Sequence, residues 1–411
     1  MRGFRVHQVN SKYKRFALSI LTIATFRCVV SPCLAQQDNV GVTRSYPNPF
    51  RPDRSSESNR DKFNERQPNE SQPNESQSVN VIRLSKLPLH NDYPVVTAVS
   101  VSPNGNLLAA AGDDHAIRII SFETGKTIST LVGHLDWVQC VEFSPSGRQL
   151  ASCGHDGTLC VWSMNETPKL IVENSVGHAL LTLSFLNEDR IYTAGFGNNI
   201  YRWNSTDRQL IIDHACDCRD IRSITCSRDK TMVAYGGRDG VLRIRSTDDS
   251  NSTDPNHSNH SNEIMAPLHF DRIRSIQFSD DSTQITSVGE DRRIVHYDIL
   301  KRVAIGQTEI GGGKLMGLCQ LDNHLFAIAG SDNSIRIFSD VDKRVLVKLV
   351  GHDGSVGVLR RTASHIISGS FDTTIRVWDI DRALSRGDTQ GRYVHPVAAQ
   401  FEDSGAGDGV K

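Results

Sequence analysis

Short stretches of alternating apolar and polar residues, separated by turn sequences, run through the chain from residue 79 onward. In Gly154–Trp162 (GHDGTLCVW), an Asp-Gly pair separates the apolar run Gln149–Cys153 from an alternating run that ends in a tryptophan. Alternation with a period of two is typical of half-buried strands, and an Asp-Gly pair between two such runs is typical of a tight turn. The pattern therefore predicts an antiparallel β-hairpin, and no helical periodicity persists over long segments.

This hairpin recurs along the chain, and its aspartate marks equivalent positions, with a glycine at one of them: Asp114, Asp156, Gly197, Asp239, Asp291, Asp332 and Asp372. The successive intervals are 42, 41, 42, 52, 41 and 40 residues, and the polar insertion Ser246–Pro267 explains the long one. A period of about 40–45 residues made of strands and turns is typical of propeller blades. We predict an all-β fold, a seven-bladed β-propeller of four-stranded antiparallel blades.

The last blade lacks a fourth strand of its own. Its three strands are predicted at Val356–Arg360, His365–Ser370 and Thr374–Ile380, and no convincing strand follows them. At the other end, Val79–Leu84 (VNVIRL) reads as a strand that belongs to no blade. We expect this N-terminal strand to complete the last blade, because doing so closes the ring and removes an open sheet edge.

The N-terminus has the pattern of a secretory signal. Met1–Arg15 carries basic residues and no acidic ones, Phe16–Phe26 is a short apolar run, and small residues precede a cleavage position after Ala35. The alternatives are an uncleaved membrane anchor, which would place Arg27 within the apolar span, and an intracellular protein whose N-terminus only resembles a signal. We expect a secreted or periplasmic protein without a stable membrane span once the signal is cleaved.

The remaining boundaries follow from composition. We predict a signal peptide at 1–35, a disordered linker at 36–78, the propeller at 79–385 and a flexible C-terminal tail at 386–411. The linker is rich in Pro, Asn, Ser and charged residues and has few apolar ones, so it cannot bury enough surface to order itself. The formal net charge of −1 gives no general attraction for nucleic acid or anionic lipid.

The cysteines leave two questions open. Cys153 and Cys160 would face each other across a two-residue hairpin loop, but not across a three-residue loop. The segment His214–Cys218 (HACDC) could offer metal ligands, but its spacing matches no common zinc pattern, and free or paired thiols explain it as well. Of the nine cysteines, seven would remain after cleavage at Ala35, so a monomer would keep at least one unpaired thiol.

No motif of a common enzyme class is present. The stretch Ile310–Lys314 (IGGGK) lacks both the glycine spacing and the following Ser or Thr of a phosphate-binding loop. We therefore expect a non-catalytic protein that needs no cofactor and no metal and is a monomer in itself. An exported propeller enzyme, or a binder of small ligands in the central channel, is the alternative, because propeller enzymes gather their residues from several blades.

These repeats resemble the WD-repeat (WD-40) β-propeller family over about Val79–Leu384. The resemblance rests on Gly-His pairs before inner strands, on Val161-Trp162 and Val377-Trp378-Asp379 at the ends of third strands, and on the repeated hairpin aspartate. It implies that a His, a Ser or Thr, an Asp and a Trp form a hydrogen-bonded set within a blade. Two blades have all four residues: His134, Ser152, Asp156 and Trp162 in blade 2, and His352, Ser368, Asp372 and Trp378 in blade 7.

Other blades depart from this set. Blade 3 keeps His178, Thr193 and Trp203 but has Gly197 for the aspartate, and blade 5 has Tyr297 in place of the tryptophan. Blades 4 and 6 lack the loop histidine and the tryptophan. We expect these residues to be structural, because they recur at the blade period and do not converge on one point. We also expect the side of the ring formed by blades 3 to 6 to be softer.

The resemblance implies a scaffold that binds a protein or peptide partner on the top face of the propeller. Residues that enter the inner strands project toward the central opening, and mixed charges there suit a protein better than a polyanion. Trp and Arg are frequent in binding hot spots. The candidate partner-binding residues are Tyr93, Asp136, Trp137, Arg219, Asp220, Asp271, Arg272, Lys314 and Ser355.

Overall fold

Each period of the repeat folds into one antiparallel sheet of four strands. A computed structural model describes residues 78–79, 81–88, 92–218, 220–247, 263–387 and 397–398. Two short strands, β1 (Ser78–Val79) and β2 (Val81–Arg83), precede the blades. Blades 1 to 3 contain four consecutive strands each: β3 (Val96–Val101), β4 (Leu107–Gly112), β5 (Ala116–Ser121), β6 (Thr127–Val132), β7 (Val138–Phe143), β8 (Gln149–Gly154), β9 (Thr158–Ser163), β10 (Lys169–Ser175), β11 (Leu180–Phe185), β12 (Arg190–Gly195), β13 (Asn199–Asn204) and β14 (Leu210–Ala215).

The remaining blades follow the same order. Blades 4 to 6 contain β15 (Ile221–Cys226), β16 (Met232–Gly237), β17 (Val241–Ser246), β18 (Ile264–Pro267), β19 (Ile273–Phe278), β20 (Gln284–Gly289), β21 (Arg293–Asp298), β22 (Val303–Glu309), β23 (Leu315–Gln320), β24 (Leu325–Gly330), β25 (Ser334–Ser339) and β26 (Arg344–Val350). Blade 7 contributes β27 (Val356–Arg361), β28 (His365–Ser370) and β29 (Thr374–Asp379), which are followed by α1 (Ile380–Gly387) and β30 (Val397–Ala398).

The first strand of every blade lines the axis of the ring. These seven inner strands, β3, β7, β11, β15, β19, β23 and β27, contact one another in sequence, and β27 returns to β3. In each of them the pairing with the second strand shifts register at the second residue, as between Val138 and Cys140. Such a bulge re-aims a side chain. The predicted seven-bladed propeller is confirmed.

The N-terminal strand closes the ring. Strand β2 pairs antiparallel with β29, with Ile82 opposite Ile375. Ile82 and Leu84 are buried in a cluster that also contains residues of blade 1. The predicted closure is therefore confirmed, although the strand predicted at Val79–Leu84 is divided. Only β2 joins blade 7, whereas β1 pairs parallel with β30.

The chain leaves blade 7 through a helix that the sequence pattern did not predict. The third strand ends at Asp379, one residue before the predicted end, because α1 begins at Ile380. The Asp379 carboxylate accepts a hydrogen bond from the Arg382 amide at 2.7 Å and so caps the first turn. Ala383 and Leu384 pack against blade 6 and blade 7 core residues. No helix within the described ranges is long and apolar enough to cross a bilayer.

The blade 2 hairpin has a three-residue loop. Ser152 lies opposite Cys160 and Cys153 opposite Leu159, and both thiols are free. Gly157 adopts a φ of 73°, and a Cβ there would lie 2.6 Å from the carbonyl oxygen of His178. A glycine in the left-handed region is typical of this loop length. The two cysteines therefore do not face each other, and a disulfide between them does not form.

Candidate functional site

In blade 2, the four residues of the predicted set meet through hydrogen bonds. His134 Nδ1 lies 2.9 Å from Asp156 Oδ2, and His134 Nε2 lies 2.8 Å from Ser152 Oγ. The Trp162 indole N–H donates to the same hydroxyl at 2.9 Å. All four side chains lie in the blade interior or its hairpin, where their polar atoms need partners. They hold the hairpin to the loop that carries His134, and they leave no group directed at a partner.

Blade 7 repeats this arrangement with shorter contacts. His352 Nδ1 lies 2.7 Å from Asp372 Oδ2, His352 Nε2 lies 2.7 Å from Ser368 Oγ, and Trp378 Nε1 donates to Ser368 at 2.9 Å. Burial by itself would raise the pKa of Asp372. Hydrogen bonds from His352 and Thr374 overcome that effect and hold the pKa well below its usual value.

Blade 5 forms the same set without the tryptophan. His269 Nδ1 lies 2.9 Å from Asp291 Oδ1, and His269 Nε2 lies 2.9 Å from Ser287 Oγ. Tyr297 is buried in the core cluster of this blade, where the tryptophan would lie. We call the arrangement in blades 2, 5 and 7 the histidine set. The sequence analysis did not single out Ser287.

Blades 1, 4 and 6 hold the same aspartate with an arginine four residues later, on the third strand. Arg243 Nη2 donates to Asp239 Oδ2 at 2.6 Å, and Arg336 Nη1 donates to Asp332 Oδ1 at 3.2 Å. In blade 1, Arg118 is fully buried and donates to Asp114 Oδ1 at 2.6 Å. We call this arrangement the arginine set. In blades 4 and 6, which lack the loop histidine, this local ion pair takes its place, whereas the corresponding residue of blade 1, His90, lies outside the described residues.

Blade 3 has neither set. A Cβ at Gly197 would lie 2.4 Å from His178 Nε2, so the imidazole occupies the space that an aspartate would need. His178 Nε2 instead lies 3.4 Å from the Tyr201 hydroxyl. Thr193 donates to a main-chain carbonyl, and the Trp203 indole N–H has no partner in the described part of the chain. The three residues that blade 3 keeps are therefore not joined.

Exposed aromatic side chains follow one another across blades 2 and 3 at the end of the ring where the inner strands begin, which we call the upper rim. The Trp137 and His155 rings are 5.7 Å apart, and the His155 and Phe196 rings are 6.3 Å apart. The Arg222 guanidinium lies 5.0 Å from the centre of the Phe196 ring. Trp137 is 46% exposed and Phe196 is 49% exposed. This face therefore presents adjacent aromatic surface to solvent.

An ionic network continues from Arg222 across blades 4 to 6. Arg222 lies 2.5 Å from Asp220, Asp220 lies 3.0 Å from Arg272, and Arg272 lies 2.9 Å from Glu290. Lys314 Nζ donates to Glu290 Oε2 at 2.5 Å. Burial would raise the pKa of Glu290, but the bonds from Lys314 and Arg272 lower it, and Glu290 is an anion at neutral pH. We call the whole series the rim row: Trp137, His155, Phe196, Arg222, Asp220, Arg272, Glu290 and Lys314.

The structure thus brings four of the nine predicted partner-binding residues into one row. One of the four, Asp220, differs from the expectation, because its side chain is buried and neutralised by two arginines. Asp220 therefore positions Arg222 and Arg272 and is not itself presented to a partner.

Four other predicted residues lie outside the row. Asp136 and Asp271 each accept a hydrogen bond at 2.7 Å from the next amide in the chain. Tyr93 is exposed, with Lys86 Nζ 4.3 Å from its ring centre, and the Ser355 hydroxyl lies 3.5 Å from the carbonyl of Ser331. Arg219 lies outside the described residues.

The sequence analysis missed His155, Phe196, Arg222 and Glu290. Three of them directly precede the repeated hairpin position, occupied by Asp156, Gly197 and Asp291. The residue before the hairpin aspartate varies from repeat to repeat and lies on the upper rim. This position could therefore have been identified as a candidate from the sequence. Arg222 is the bulge residue of its inner strand, and this backbone irregularity is not visible in the sequence.

The segment His214–Cys218 holds a disulfide between Cys216 and Cys218. Both sulfurs are buried in the core cluster between blades 3 and 4. No group of three or more His, Cys, Asp or Glu side chains suited to a metal ion occurs among the described residues. The paired-thiol interpretation of this segment therefore holds.

Four segments match the sequence model of the family described as "WD domain, G-beta repeat": residues 82–121, 125–163, 266–298 and 343–379. The chain carries WD repeats. Each WD repeat begins at the outer strand of one blade and ends in the third strand of the next, so every repeat joins two blades. The repeats that end in blades 2, 5 and 7 are those that form the histidine set.

Curated relatives match over the propeller. The chain is 24% identical over 282 residues to "Apoptotic protease-activating factor 1" of Danio rerio, which is 68% of this chain and 18% of the relative. It is 26% identical over 273 residues to "Ribosome biogenesis protein WDR12 homolog" of Aedes aegypti, which is 60% of this chain and 62% of the relative. It is 21% identical over 290 residues to "Transcriptional corepressor LEUNIG_HOMOLOG" of Arabidopsis thaliana, which is 69% of this chain and 35% of the relative. The chain thus spans less than two thirds of each of these relatives.

Proposed function

We propose that this WD-repeat propeller is a non-catalytic platform whose upper rim binds a protein partner. The rim row carries the proposal. Trp137 and Phe196 are large aromatic side chains that are about half exposed, and the His155 ring lies between them. Adjacent exposed aromatic surface beside charged groups is typical of a protein-binding surface.

The two halves of the row point to the character of the partner. The half on blades 2 and 3 is apolar. In the other half, Arg222, Arg272, Arg274 and Lys314 outnumber the carboxylates of Asp220 and Glu290. A partner segment with an aromatic or aliphatic anchor next to an acidic residue suits both halves. Burial is the main cause that lowers the pKa of Arg274, and nearby Arg222 adds to it.

The comparisons support this proposal at a coarser level. WD propellers generally bind protein partners, and the relatives are named for a corepressor, a ribosome biogenesis protein and a protease-activating factor. These three names refer to different processes. They support a role in assembly, but they do not identify the protein that binds the upper rim of this chain.

The experiment is affinity capture followed by binding measurements on the purified partner. A partner that binds the wild type should lose affinity about tenfold or more with Trp137→Ala, because a hot-spot aromatic contributes about 2 kcal/mol or more. Leu300→Ala removes a more exposed apolar side chain from the opposite face and should bind normally. Equal binding by the wild type and Trp137→Ala would reject the rim as the partner site.

We also propose that the protein is exported. The support is the sequence of residues 1–35, with its basic start, its apolar run and its small residues before Ala35, which lie outside the described residues. N-terminal sequencing of the protein from fractionated cells of its own host tests this. A chain that starts at Gln36 outside the cytosol supports export, whereas Met1 retained on a cytosolic protein rejects it.

A further inference from the structure

A cavity lies at the end of the central channel where the inner strands end, opposite the upper rim. We call it the lower mouth. Its volume is about 500 Å³, and it opens to solvent between the ends of the inner strands of blades 3 to 7. Cavities of about 300–1,000 Å³ are typical of small-molecule sites. The rim row lies at the other end of the same strands, so the two surfaces are separate.

Positive charge dominates the lower mouth. Its lining includes Arg228, Lys230, Arg360 and Arg361 against a single carboxylate, Asp280. Asp280 is already paired, since Arg228 Nη1 lies 2.8 Å from its Oδ1.

Arg360 and Arg361, which are consecutive in the sequence, both donate hydrogen bonds to main-chain carbonyls. Arg360 Nη1 donates to the carbonyl of Leu359 at 2.8 Å, and Arg361 Nη1 donates to the carbonyl of Leu321. Neither bond neutralises a guanidinium, and no carboxylate in the described lining is left to do so. Both arginines line the cavity, and guanidinium groups are well suited to carboxylate and phosphate oxygens.

Glu142 approaches the same space from blade 2 without cancelling this charge. Its Oε1 accepts a hydrogen bond from the Phe185 amide at 3.1 Å. Burial raises the pKa of Glu142 to about 7, although Arg360 acts to lower it. Near neutral pH the carboxyl is therefore a partial charge, and the lower mouth stays net positive.

Apolar side chains and two thiols also line the lower mouth, among uncharged polar residues such as Gln277 and Gln320. Phe185, Leu186 and Phe278 line it together with the thiols of Cys226 and Cys319. Burial raises the pKa of Cys319 to about 11 and that of Cys226 further. Both thiols therefore stay protonated and are poor nucleophiles, so the cavity is built to bind and not to react.

We propose that the lower mouth binds a small organic anion. Its carboxylate or phosphate group lies against Arg360 and Arg361, and its apolar body lies against Phe185, Leu186 and Phe278. This ligand site is independent of the protein-binding rim. These five residues come from blades 3, 5 and 7, and each of them is at the end of an inner strand or in the turn that follows.

Calorimetric titration of the full chain with three probes tests the proposal. Benzene-1,3-dicarboxylate carries both features, inorganic phosphate carries only the charge, and benzene-1,3-dimethanol carries only the apolar body. The dicarboxylate should bind the wild type more tightly than either other probe. Arg360→Gln combined with Arg361→Gln should weaken it about tenfold or more, because two charge-assisted contacts are lost.

Matched variants separate binding from folding. Arg302→Gln removes an exposed arginine from a loop on the same face that does not line the cavity, and it should bind normally. Phe278→Ala keeps all charges and should weaken the dicarboxylate but not phosphate, so it tests the site even if the double variant folds poorly. Trp137→Ala should bind the dicarboxylate like the wild type.

Four results would overturn the proposal. They are equal binding of the dicarboxylate by the wild type and the double variant, binding of the dimethanol as tight as that of the dicarboxylate, binding of phosphate as tight as that of the dicarboxylate, and failure of the dicarboxylate to bind. If a penta-aspartate peptide binds and the dicarboxylate does not, the lower mouth is a surface for an acidic protein segment instead.

Discussion

Blades 2, 5 and 7 hold their hairpin aspartate with a histidine from a distant loop, whereas blades 1, 4 and 6 hold it with an arginine from the neighbouring strand. In blade 2 the histidine precedes the aspartate by 22 residues, and in blade 4 the arginine follows it by four. The histidine set therefore fixes the loop that leads into the inner strand, whereas the arginine set joins the hairpin aspartate to the third strand of the same blade.

This difference bears on what each loop can present. In blades 4 and 6, where no histidine occupies the loop, Asp220 and Lys314 enter the rim row from it. In blade 2 the loop is held from below by His134, and the exposed Trp137 follows it. The hairpin aspartate is common to both sets. Whether it pairs with a histidine or an arginine determines how much of the upper rim is fixed to the blade interior.

The largest effect should follow deletion of residues 79–85, because the arginine set of blade 1 depends on the closing strand. Arg118 also donates to the carbonyl of Ser85 at 2.6 Å, so the segment supports blade 1 and completes blade 7. Loss of the buried Ile82 and Leu84 side chains and of the β2 ladder should cost about 5 kcal/mol or more of unfolding free energy. Urea unfolding measures this.

Point variants of the same segment give the control. Leu84→Ala should cost about 3 kcal/mol, because Leu84 is fully buried, and the exposed Arg83→Ala should cost less than about 0.5 kcal/mol. A truncated protein as stable as the full chain would show that the ring closes without β2.

The next largest effect should come from His352→Ala in blade 7. It leaves Ser368 and a largely buried Asp372 without their shared partner and opens a cavity, so we expect a loss of about 3 kcal/mol. Arg243→Met in blade 4 should cost about 1 kcal/mol or less, because its partner Asp239 is 35% exposed and regains water. Urea unfolding of both variants compares the two sets.

Arg118→Met decides whether partner type or burial sets the cost. Its aspartate, Asp114, is only 5% exposed, so this variant should resemble His352→Ala and not Arg243→Met. If Arg118→Met and Arg243→Met cost the same, burial is not the controlling variable.

A smaller effect, of opposite sign, is expected for Gly197→Asp in blade 3, which has neither set. His178, Thr193 and Trp203 are present, and the atoms nearest to a Cβ at this position all belong to the movable His178 ring. The new carboxylate should draw His178 into the histidine arrangement and stabilise the protein by about 1 kcal/mol. The thermal unfolding midpoint measures it.

The matched control for this variant is Gly197→Ala. It also displaces the ring but offers no acceptor, so it should destabilise the protein. Equal destabilisation by both substitutions would mean that His178 cannot adopt the arrangement seen in blades 2, 5 and 7.

The repeat period was sufficient to predict the ring and the four-stranded blades, because both depend on a pattern within about 40 residues. The closing strand was predicted by counting strands, because blade 7 lacks a fourth strand and the N-terminal strand belongs to no other blade. The arginine sets were not predicted, although Asp239 and Arg243 show the same spacing as Asp114 and Arg118 in the sequence. The sequence analysis considered only a histidine as the partner of each hairpin aspartate and therefore overlooked the arginines.

Only half of the rim row and none of the lower mouth were predicted from the sequence, for a different reason. Each combines single residues from several blades, about 40 positions apart, as Trp137 and Phe196 illustrate. Nothing in one repeat marks which of its loop positions will meet those of the next. The Cys216–Cys218 pair and helix α1 likewise depend on packing that no local pattern records.

The last expected effect is a pH dependence and concerns Glu142, which joins two blades where other blades use uncharged groups. Glu142 accepts the Phe185 amide, as Gln277 accepts that of Gln320 at 2.7 Å and Ser100 that of Phe143 at 3.1 Å. Glu142→Gln therefore keeps the acceptor and removes only the charge.

The sign of its pH dependence follows from the raised pKa. Since burial raises the folded pKa of Glu142 from 4.5 to about 7, the folded state binds the proton more tightly, and wild-type stability falls as pH rises between those values. Relative to the wild type, Glu142→Gln should thus gain stability from pH 5 to pH 8, by about 1 kcal/mol or more. Urea unfolding at both pH values measures the gain.

Arg360 and the thiols of Cys140 and Cys226 interact with this carboxyl. A gain that is the same at both pH values would show that Glu142 is ionised throughout, and that Arg360 compensates its charge across the channel.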